Sequence, residues 1–150
     1  MLTARSAALA AITSLVLGCS HNDDPEGASA LWQRIHDQQY ASWTHAPGYD
    51  TRRPTSAPHS DEVTIHVNDV LAAALAGDAL TSWPEGSLIV KDGFSDGALD
   101  IVAAMEKRAD GWFWAEWSAD GDAIASGRPA LCTDCHGSGA DFVRAFSFPK

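Results

Sequence analysis

SLIVKDGFSDGALDIVAAMEKRADGWFWAEWS, residues 87–118, decides the fold of this chain. It contains three strand-like runs, SLIVKDGF, ALDIVAAMEKR and WFWAEWS, which are rich in apolar and aromatic side chains. Residues 109–111, Ala-Asp-Gly, predict a tight hairpin loop between the last two runs. An earlier run, DEVTIHVND (61–69), alternates apolar and polar side chains and predicts a further strand. These runs together predict a sheet made mainly of antiparallel strands.

Helices are expected beside this sheet. Ser29 can cap a helix over residues 30–43, where apolar side chains recur at helical offsets. Asn68 can cap a shorter helix that ends at Gly77. Residues 44–60 are rich in proline and turn-forming residues and predict a long loop. The expected fold class is therefore α+β, a mainly antiparallel sheet with flanking helices in one domain.

The composition limits the kinds of partner. The 150 residues include 10 Lys plus Arg and 20 Asp plus Glu, a formal net charge of −10. Such a chain repels polyanions, so no nucleic-acid partner is expected. A small neutral substrate or a cationic redox partner is compatible with this charge.

The N-terminus has the layout of a bacterial secretory signal. Arg5 precedes an apolar run at 7–17, which is followed by Gly18 and Cys19. This run of 11 residues is too short to span a bilayer, which needs about 20. VLGC (16–19) resembles the lipobox of bacterial lipoproteins, in which the cysteine is acylated and becomes the new N-terminus. An ordinary cleavage site with an incidental cysteine is the alternative.

The lipobox resemblance implies a domain organisation and a location. It predicts a lipoprotein signal peptide at 1–18, lipidation of Cys19, and a polar tether at 19–28. Residues 29–150 then form the folded domain. The protein is expected in the periplasm, attached to a membrane through its lipid anchor only. Ser20 after the cysteine favours the outer membrane.

A second cysteine motif, CTDCH, occupies residues 132–136. With Cys19 lipidated, two cysteines remain, so no disulfide framework is available. A disulfide oxidoreductase would carry the pair early in a βαβ unit, and a zinc site would need a fourth ligand. CxxCH is instead typical of covalent c-type haem, whose vinyl groups react with Cys132 and Cys135. The three-residue offset puts both thiols on one side of a helical turn, and His136 then ligates the iron.

The sixth position of the expected haem iron has no obvious ligand. No Met or His follows His136. Met105 lies upstream on a predicted strand, where a role as an apolar core residue is the simpler interpretation. An open iron site favours binding of, or chemistry on, a small molecule over electron relay alone.

The order of several motifs resembles the cytochrome P-460 family, which is related to the c-prime-beta cytochromes. These motifs are PHS, VTIHVND, WPEGSLIVKD, MEK, DGWFWAEW, CTDCH and DFV, and they span roughly residues 30–148. The resemblance implies a mainly antiparallel fold, often dimeric, with a five-coordinate haem c bound through the C-terminal CxxCH. In the hydroxylamine-oxidising members a lysine is joined covalently to the haem ring, and Lys91 matches it. A lysine at a strand end could equally be solvated.

Two classes of function are therefore expected. In the first, the haem protein oxidises hydroxylamine or a related small nitrogen species, Lys91 serves as a catalytic and cofactor-binding residue, and a partner cytochrome takes the electrons. In the second, it binds nitric oxide or transfers electrons without turnover. The family oxidisers carry a proton-accepting carboxylate that matches Ala103 here, so a pocket lacking that base is expected. Neither Asp100 nor Glu106 matches that position.

Overall fold

The computed structural model describes residues 21–55 and 59–150, in which it shows a seven-stranded, antiparallel sheet and three α-helices. The strands are β1 (Thr44–His45), β2 (Arg53–Pro54), β3 (Glu62–Val67), β4 (Leu88–Ser95), β5 (Ala98–Arg108), β6 (Gly111–Ser118) and β7 (Ala123–Gly127). The helices are α1 (Pro25–Asp37), α2 (Asp69–Leu75) and α3 (Ala130–His136). The strand order is β1-β3-β4-β5-β6-β7, and β2 also pairs with β3. Among the described residues, none of the helices is long and apolar enough to cross a membrane. The predicted α+β class with a mainly antiparallel sheet is confirmed.

The central meander forms where the sequence predicts it. β4, β5 and β6 follow one another along the chain and pair as neighbours. Arg108 pairs with Gly111, so the loop between β5 and β6 has two residues, Ala109 and Asp110. Gly111 has φ of 117°, a backbone conformation that other residues seldom adopt. The tight hairpin is confirmed, with Gly111 as the first residue of β6.

The first helix begins earlier than predicted. Its N-cap is Asp24, whose carboxylate accepts a hydrogen bond of 2.8 Å from the Gly27 backbone N–H, and Pro25 occupies the first turn. A capping carboxylate followed by proline is a strong start signal, because proline needs no hydrogen-bond partner there. The prediction of Ser29 as the cap is therefore wrong. The helix also stops at Asp37, and Tyr40–Ser42 form a separate 3₁₀ turn.

The segment before this helix belongs to the folded domain. Asn22 forms a parallel bridge with Ser126 of β7, and the Ser126 N–H donates to the His21 carbonyl at 3.0 Å. The predicted tether at 19–28 is thus bound to the sheet from residue 21 onward, and a domain boundary at residue 29 is too late. The predicted signal peptide and the lipidation site Cys19 lie outside the described residues.

The structure adds three strands that the sequence did not reveal. β1 and β2 lie in the segment predicted as a long loop, and each has only two residues. β7 has the sequence AIASG, in which small residues give no clear alternation. Its place at the sheet edge depends on pairing with β6 and with the N-terminal segment, neither of which a local pattern encodes. The short helix capped by Asn68 is confirmed, since its side chain accepts from the Leu71 N–H at 3.2 Å.

The two faces of the sheet are covered differently. α1 packs on one face, where the buried side chains are Ala28, Leu31, Ile35, Tyr40, Leu88, Val90, Val102, Ala104, Phe113, Ala115 and Trp117. The other face meets α2 and the C-terminal segment, and its buried side chains are Ala46, Ile65, Val67, Leu71, Trp83, Ile89, Met105, Trp112, Trp114 and Val143. Each face therefore has its own apolar core. The odd-numbered and even-numbered residues of β4 separate between these cores as the alternation predicts.

A polar cluster is buried on the α1 side of the sheet. The Tyr40 hydroxyl donates to Asp92 at 2.9 Å, and the His66 Nε2 atom lies 3.7 Å from the same carboxylate. Burial raises the pKa of Asp92 and lowers that of His66. His66 is only 5% exposed. The side chain of Val67 belongs to the core on the face opposite α1. Successive residues of a strand point to opposite faces, so the side chain of His66 points to the face covered by α1.

Acidification is expected to destabilise the protein through His66. Burial lowers its pKa in the folded state, whereas the unfolded chain regains an ordinary value near 6.5 and binds a proton more readily. The free energy of unfolding should therefore fall as pH drops below about 6.5, by at most about 1.4 kcal/mol per pH unit from this group. Urea unfolding at pH 7 and pH 5 measures the loss. His66→Gln should reduce it and the exposed His36→Gln should not, and an equal loss in both variants would contradict the assignment.

Candidate functional site

A cavity of about 260 Å³ opens on the face of the sheet opposite α1. Its lining includes all four residues that the sequence singled out for the haem site: Lys91, Cys132, Cys135 and His136. Lys91 lies on β4 in the middle of the sheet, and the other three lie on α3 after the last strand. The fold therefore brings the two predicted parts of the site together across a long stretch of sequence.

α3 presents the two cysteines one helical turn apart. Both are free thiols that are partly buried. Burial raises the pKa of the Cys132 thiol, which keeps it protonated at neutral pH. The Arg144 Nη1 atom donates to the Cys135 sulfur at 2.8 Å. The three-residue offset on one helix places the thiols on neighbouring positions of the same side, as the CxxCH motif requires.

The imidazole of His136 is held in one orientation. Its Nδ1 lies 2.9 Å from the Phe142 carbonyl oxygen, which can only accept, so Nδ1 carries the proton. The lone pair is then on Nε2, the nitrogen left to bind a metal. Burial lowers the pKa of His136, and this keeps the ring neutral near pH 7. A neutral imidazole with a backbone partner on its other nitrogen is the usual state of a metal-ligating histidine.

The carbonyl that orients His136 is itself fixed by Asp141. The Lys107 ammonium lies 3.0 and 2.8 Å from the two Asp141 oxygens, and the Trp83 backbone N–H donates to the same carboxylate at 2.9 Å. Burial alone would raise the pKa of Asp141, but these donors outweigh it and hold the pKa below its ordinary value. Asp141 and Phe142 have φ of 46° and 67°, so the segment turns sharply and needs this support.

Asp141→Asn is expected to loosen this segment. The amide cannot pair with the Lys107 ammonium as a carboxylate does, so the free energy of unfolding should fall by about 1–3 kcal/mol. If the site holds a haem, as proposed below, the reduction potential of the variant should also change, because a hydrogen bond to an iron-ligating imidazole tunes the iron. Urea unfolding and potentiometry measure the two effects. Asp120→Asn, an exposed site in the turn before β7, is the control, and matching values in the two variants would refute the expectation.

Lys91 faces the cavity, in agreement with the predicted alternation of β4. It pairs across the sheet with Ile65 on one side and Ala103 on the other. Burial lowers the pKa of the Lys91 amine, while Glu116 acts in the opposite direction. The alternative of a freely solvated lysine at a strand end is wrong, because the side chain lines a cavity and is largely buried.

Glu116 and His59 are site residues that the sequence interpretation missed. Ala103 of β5 pairs with Lys91 on one side and with Glu116 of β6 on the other, so all three share one face of the sheet. The His59 Nδ1 lies 2.7 Å from a Glu116 carboxylate oxygen, and both side chains line the cavity. The expectation of a pocket without a carboxylate is therefore wrong. A base is present on the strand next to Ala103.

The rest of the lining is mainly apolar and suits an apolar ligand. Ile89, Met105 and Trp114 form part of the wall, and the buried indole N–H of Trp114 has no acceptor within the described part of the chain. Met105 is buried and belongs to the apolar core, as its simpler interpretation expected. Paired thiols, an oriented imidazole and an apolar wall together fit a covalently attached haem. No cluster of three His, Cys, Asp or Glu side chains suited to a metal occurs in residues 21–55 and 59–150.

Comparison of the chain with models of known protein families gave no match, and comparison with curated protein sequences gave none. The function of the site must therefore be argued from its own residues and from the order of motifs in the sequence.

Proposed function

We propose that this protein is a c-type haem protein of the cytochrome P-460 type that oxidises hydroxylamine or a related small nitrogen species. The observation that carries the proposal is the meeting, in one apolar cavity, of the CTDCH helix with Lys91 and the Glu116–His59 pair. The helix supplies groups that attach a haem, and the opposite wall supplies an amine and a base.

Three residues of α3 are proposed to hold the cofactor. Cys132 and Cys135 form thioether bonds, and His136 provides an imidazole nitrogen to the iron. The Nδ1 hydrogen bond to Phe142 leaves Nε2 free for that role. Haem, when bound, supplies an iron that accepts a small nitrogen ligand and takes up its electrons. The resemblance of the motifs leaves the sixth position open.

Lys91 is proposed to bind the haem ring covalently and to tune its chemistry. The bond would replace one N–H of the neutral amine and one C–H of the ring, with release of two protons and two electrons, and a two-electron oxidant such as a peroxide would have to take up the electrons. A protonated ammonium has no free electron pair with which to form the bond. Burial in the cavity lowers the pKa of Lys91 and so increases the neutral fraction. The position of Lys91 on a rigid central strand would hold the amine in one place.

Glu116 and His59 are proposed to take the protons that hydroxylamine releases as it is oxidised. A carboxylate in contact with an imidazole can accept a proton and share it across a hydrogen bond of 2.7 Å. Both groups are about one-fifth exposed, so a proton can pass from them to solvent. The cavity therefore holds a base that the order of motifs alone did not reveal.

The proposal includes a setting for the protein. The signal-like N-terminus and the cysteine after it support a periplasmic lipoprotein, attached to a membrane through acylated Cys19, with the outer membrane favoured. Electrons would leave to a redox partner cytochrome, whose approach a net charge of −10 would favour if that partner is cationic. A homodimer is proposed from the resemblance alone.

Steady hydroxylamine-dependent reduction of an added electron acceptor tests the proposal. An enzyme reduces many equivalents of acceptor, whereas a nitric-oxide-binding or electron-transfer cytochrome gives one stoichiometric event at most. Such a single event, in a protein that carries haem, would support that alternative function.

Glu116→Gln is expected to lower the rate of that reaction by about 100-fold or more, because a positioned base contributes this much to proton transfer. Steady-state kinetics with a fixed acceptor measures the effect. Glu26→Gln, at an exposed site on α1, is the matched control and should retain the full rate. Equal rates in the two variants would exclude Glu116 as the proton acceptor.

A further inference from the structure

We propose that the mouth of the cavity lies against the surface of the membrane that holds the acyl chains of Cys19. This inference rests on the acylation of Cys19 in the proposed function and adds the orientation of the site. The partner of the mouth is thus a phospholipid surface. Three features of the described residues lead to it.

The first feature is that the N-terminal segment is fixed at the mouth. His21 lines the cavity, and Asn22 bridges to Ser126 of β7. The Asp23 N–H donates to the Ser126 carbonyl at 3.1 Å, and the Asp24 N–H donates to the Ser126 hydroxyl at 2.9 Å. Ser126 is fully buried, so these bonds are shielded from water. Residues 21–24 are therefore held beside the cavity and do not act as a flexible spacer.

The second feature is the short distance from this segment to the anchor. Cys19 lies two residues before His21. Two residues of polypeptide span about 7 Å at most, whatever conformation they adopt. An acylated Cys19 thus stays within about 7 Å of the backbone of a residue that lines the mouth. The covalent connection leaves little freedom to turn the mouth away from the bilayer.

The third feature is an apolar rim on the same mouth. Leu131 of α3 is 66% exposed and Ile124 of β7 is 48% exposed, and both line the cavity. They are two of the four exposed large apolar side chains in the part of the chain that the structure describes. Apolar side chains next to a lipid anchor enter the interfacial region of a bilayer, where they leave water. The net charge of −10 gives no attraction to anionic lipids, so the acyl chains and this rim supply the contact.

The orientation has a consequence for partners. A protein that binds over the mouth must itself lie at the membrane surface, because the bilayer blocks access to the mouth from the bulk solvent. Small solutes can still enter along the interface. The proposed redox partner would then be a membrane-associated carrier, or would contact another part of the surface.

Site-specific alkylation tests the proposal. Ile124→Cys is introduced into the lipidated chain, which is placed on the outside of vesicles of neutral phosphatidylcholine, and into an unlipidated Cys19→Ser form. A charged, membrane-impermeant maleimide is added, and modification of each cysteine is followed by mass spectrometry. Val70→Cys is the matched control, because Val70 is 42% exposed on α2, which follows β3, four strands away from β7 in the sheet. Leu131→Cys, on α3 at the same rim and 66% exposed, replaces the probe if Ile124→Cys does not fold.

Position 124 should react about tenfold or more slowly on vesicles than in the unlipidated form, while position 70 should react alike in both. Equal reactivity of position 124 in the two forms would overturn the proposal, and so would a mass without acyl groups on Cys19. Protection of position 124 in the unlipidated form as well would assign the rim to a second copy of the chain instead. Failure of the haem assignment is separately visible, because Cys132 and Cys135 would then be alkylated.

Discussion

In a Lys91→Met background, which removes the other proposed covalent link, replacing both Cys132 and Cys135 with alanine should leave the protein without covalently bound haem. The two thiols are expected to form the only covalent links between α3 and the vinyl groups of the cofactor, and alanine offers no atom for this bond. The loss should be complete for the double variant. A haem stain after denaturing electrophoresis and the pyridine haemochrome spectrum both measure it.

The control for this experiment is Cys19→Ser, which removes the predicted lipid anchor and leaves CTDCH intact. It should retain haem. A double variant that still carries haem through a denaturing gel would contradict the assignment of CTDCH as the haem attachment motif. A wild-type protein matured in the periplasm that shows no haem band would do the same. Either outcome would remove the basis of the proposed function.

Replacing Lys91 with methionine should have the second-largest effect. Methionine fills a similar volume but has no amine, so a covalent bond to the haem ring cannot form. The reduced wild-type protein is expected to show a Soret band far to the red of ordinary c-type haem, and the variant an ordinary five-coordinate spectrum. The rate of hydroxylamine-dependent turnover should also fall in the variant, because the covalent bond to Lys91 is proposed to tune the chemistry of the haem ring.

Lys150→Met is the matched control, because it makes the same replacement at an exposed lysine that does not line the cavity. It should leave the spectrum unchanged. Tryptic digestion of the wild-type protein gives an independent measurement, because a cross-linked Lys91 peptide must carry the mass of haem. Recovery of that peptide free of haem would show that Lys91 is a wall residue and would favour a gas-binding function.

Much of the cavity wall could be predicted from local patterns. Alternation in SLIVKDGF puts Ile89 and Lys91 on one face, and the structure places both in the cavity. The spacing of CTDCH predicted a helical turn with two thiols on one side, and α3 has that form. These predictions succeeded because each depends on residues two to four apart in the chain, where backbone geometry fixes the relation between side chains.

Glu116 shows what local patterns left out. The two-residue hairpin at Ala109 and Asp110 sets the register that puts Glu116 opposite Ala103. The predicted loop also included Gly111, and counting back from it would have put Trp117 opposite Ala103, so the register that places Glu116 there came from the structure. His59 offered no local signal. It follows a proline-rich segment, and its contact with Glu116 depends on how that loop returns to the sheet.

The sequence by itself determined the strands of the meander, the α+β class, the helical CxxCH turn and the side of β4 that carries Lys91. These follow from short-range stereochemistry and from the burial of alternating apolar side chains. The tertiary structure alone decided that α3 closes over the face with Lys91 and Glu116, that Asp141 fixes the partner of His136, and that the N-terminal segment lies along β7. Each of these needs contacts between residues far apart in the chain, whose geometry is set by the packing of whole elements and not by any local pattern.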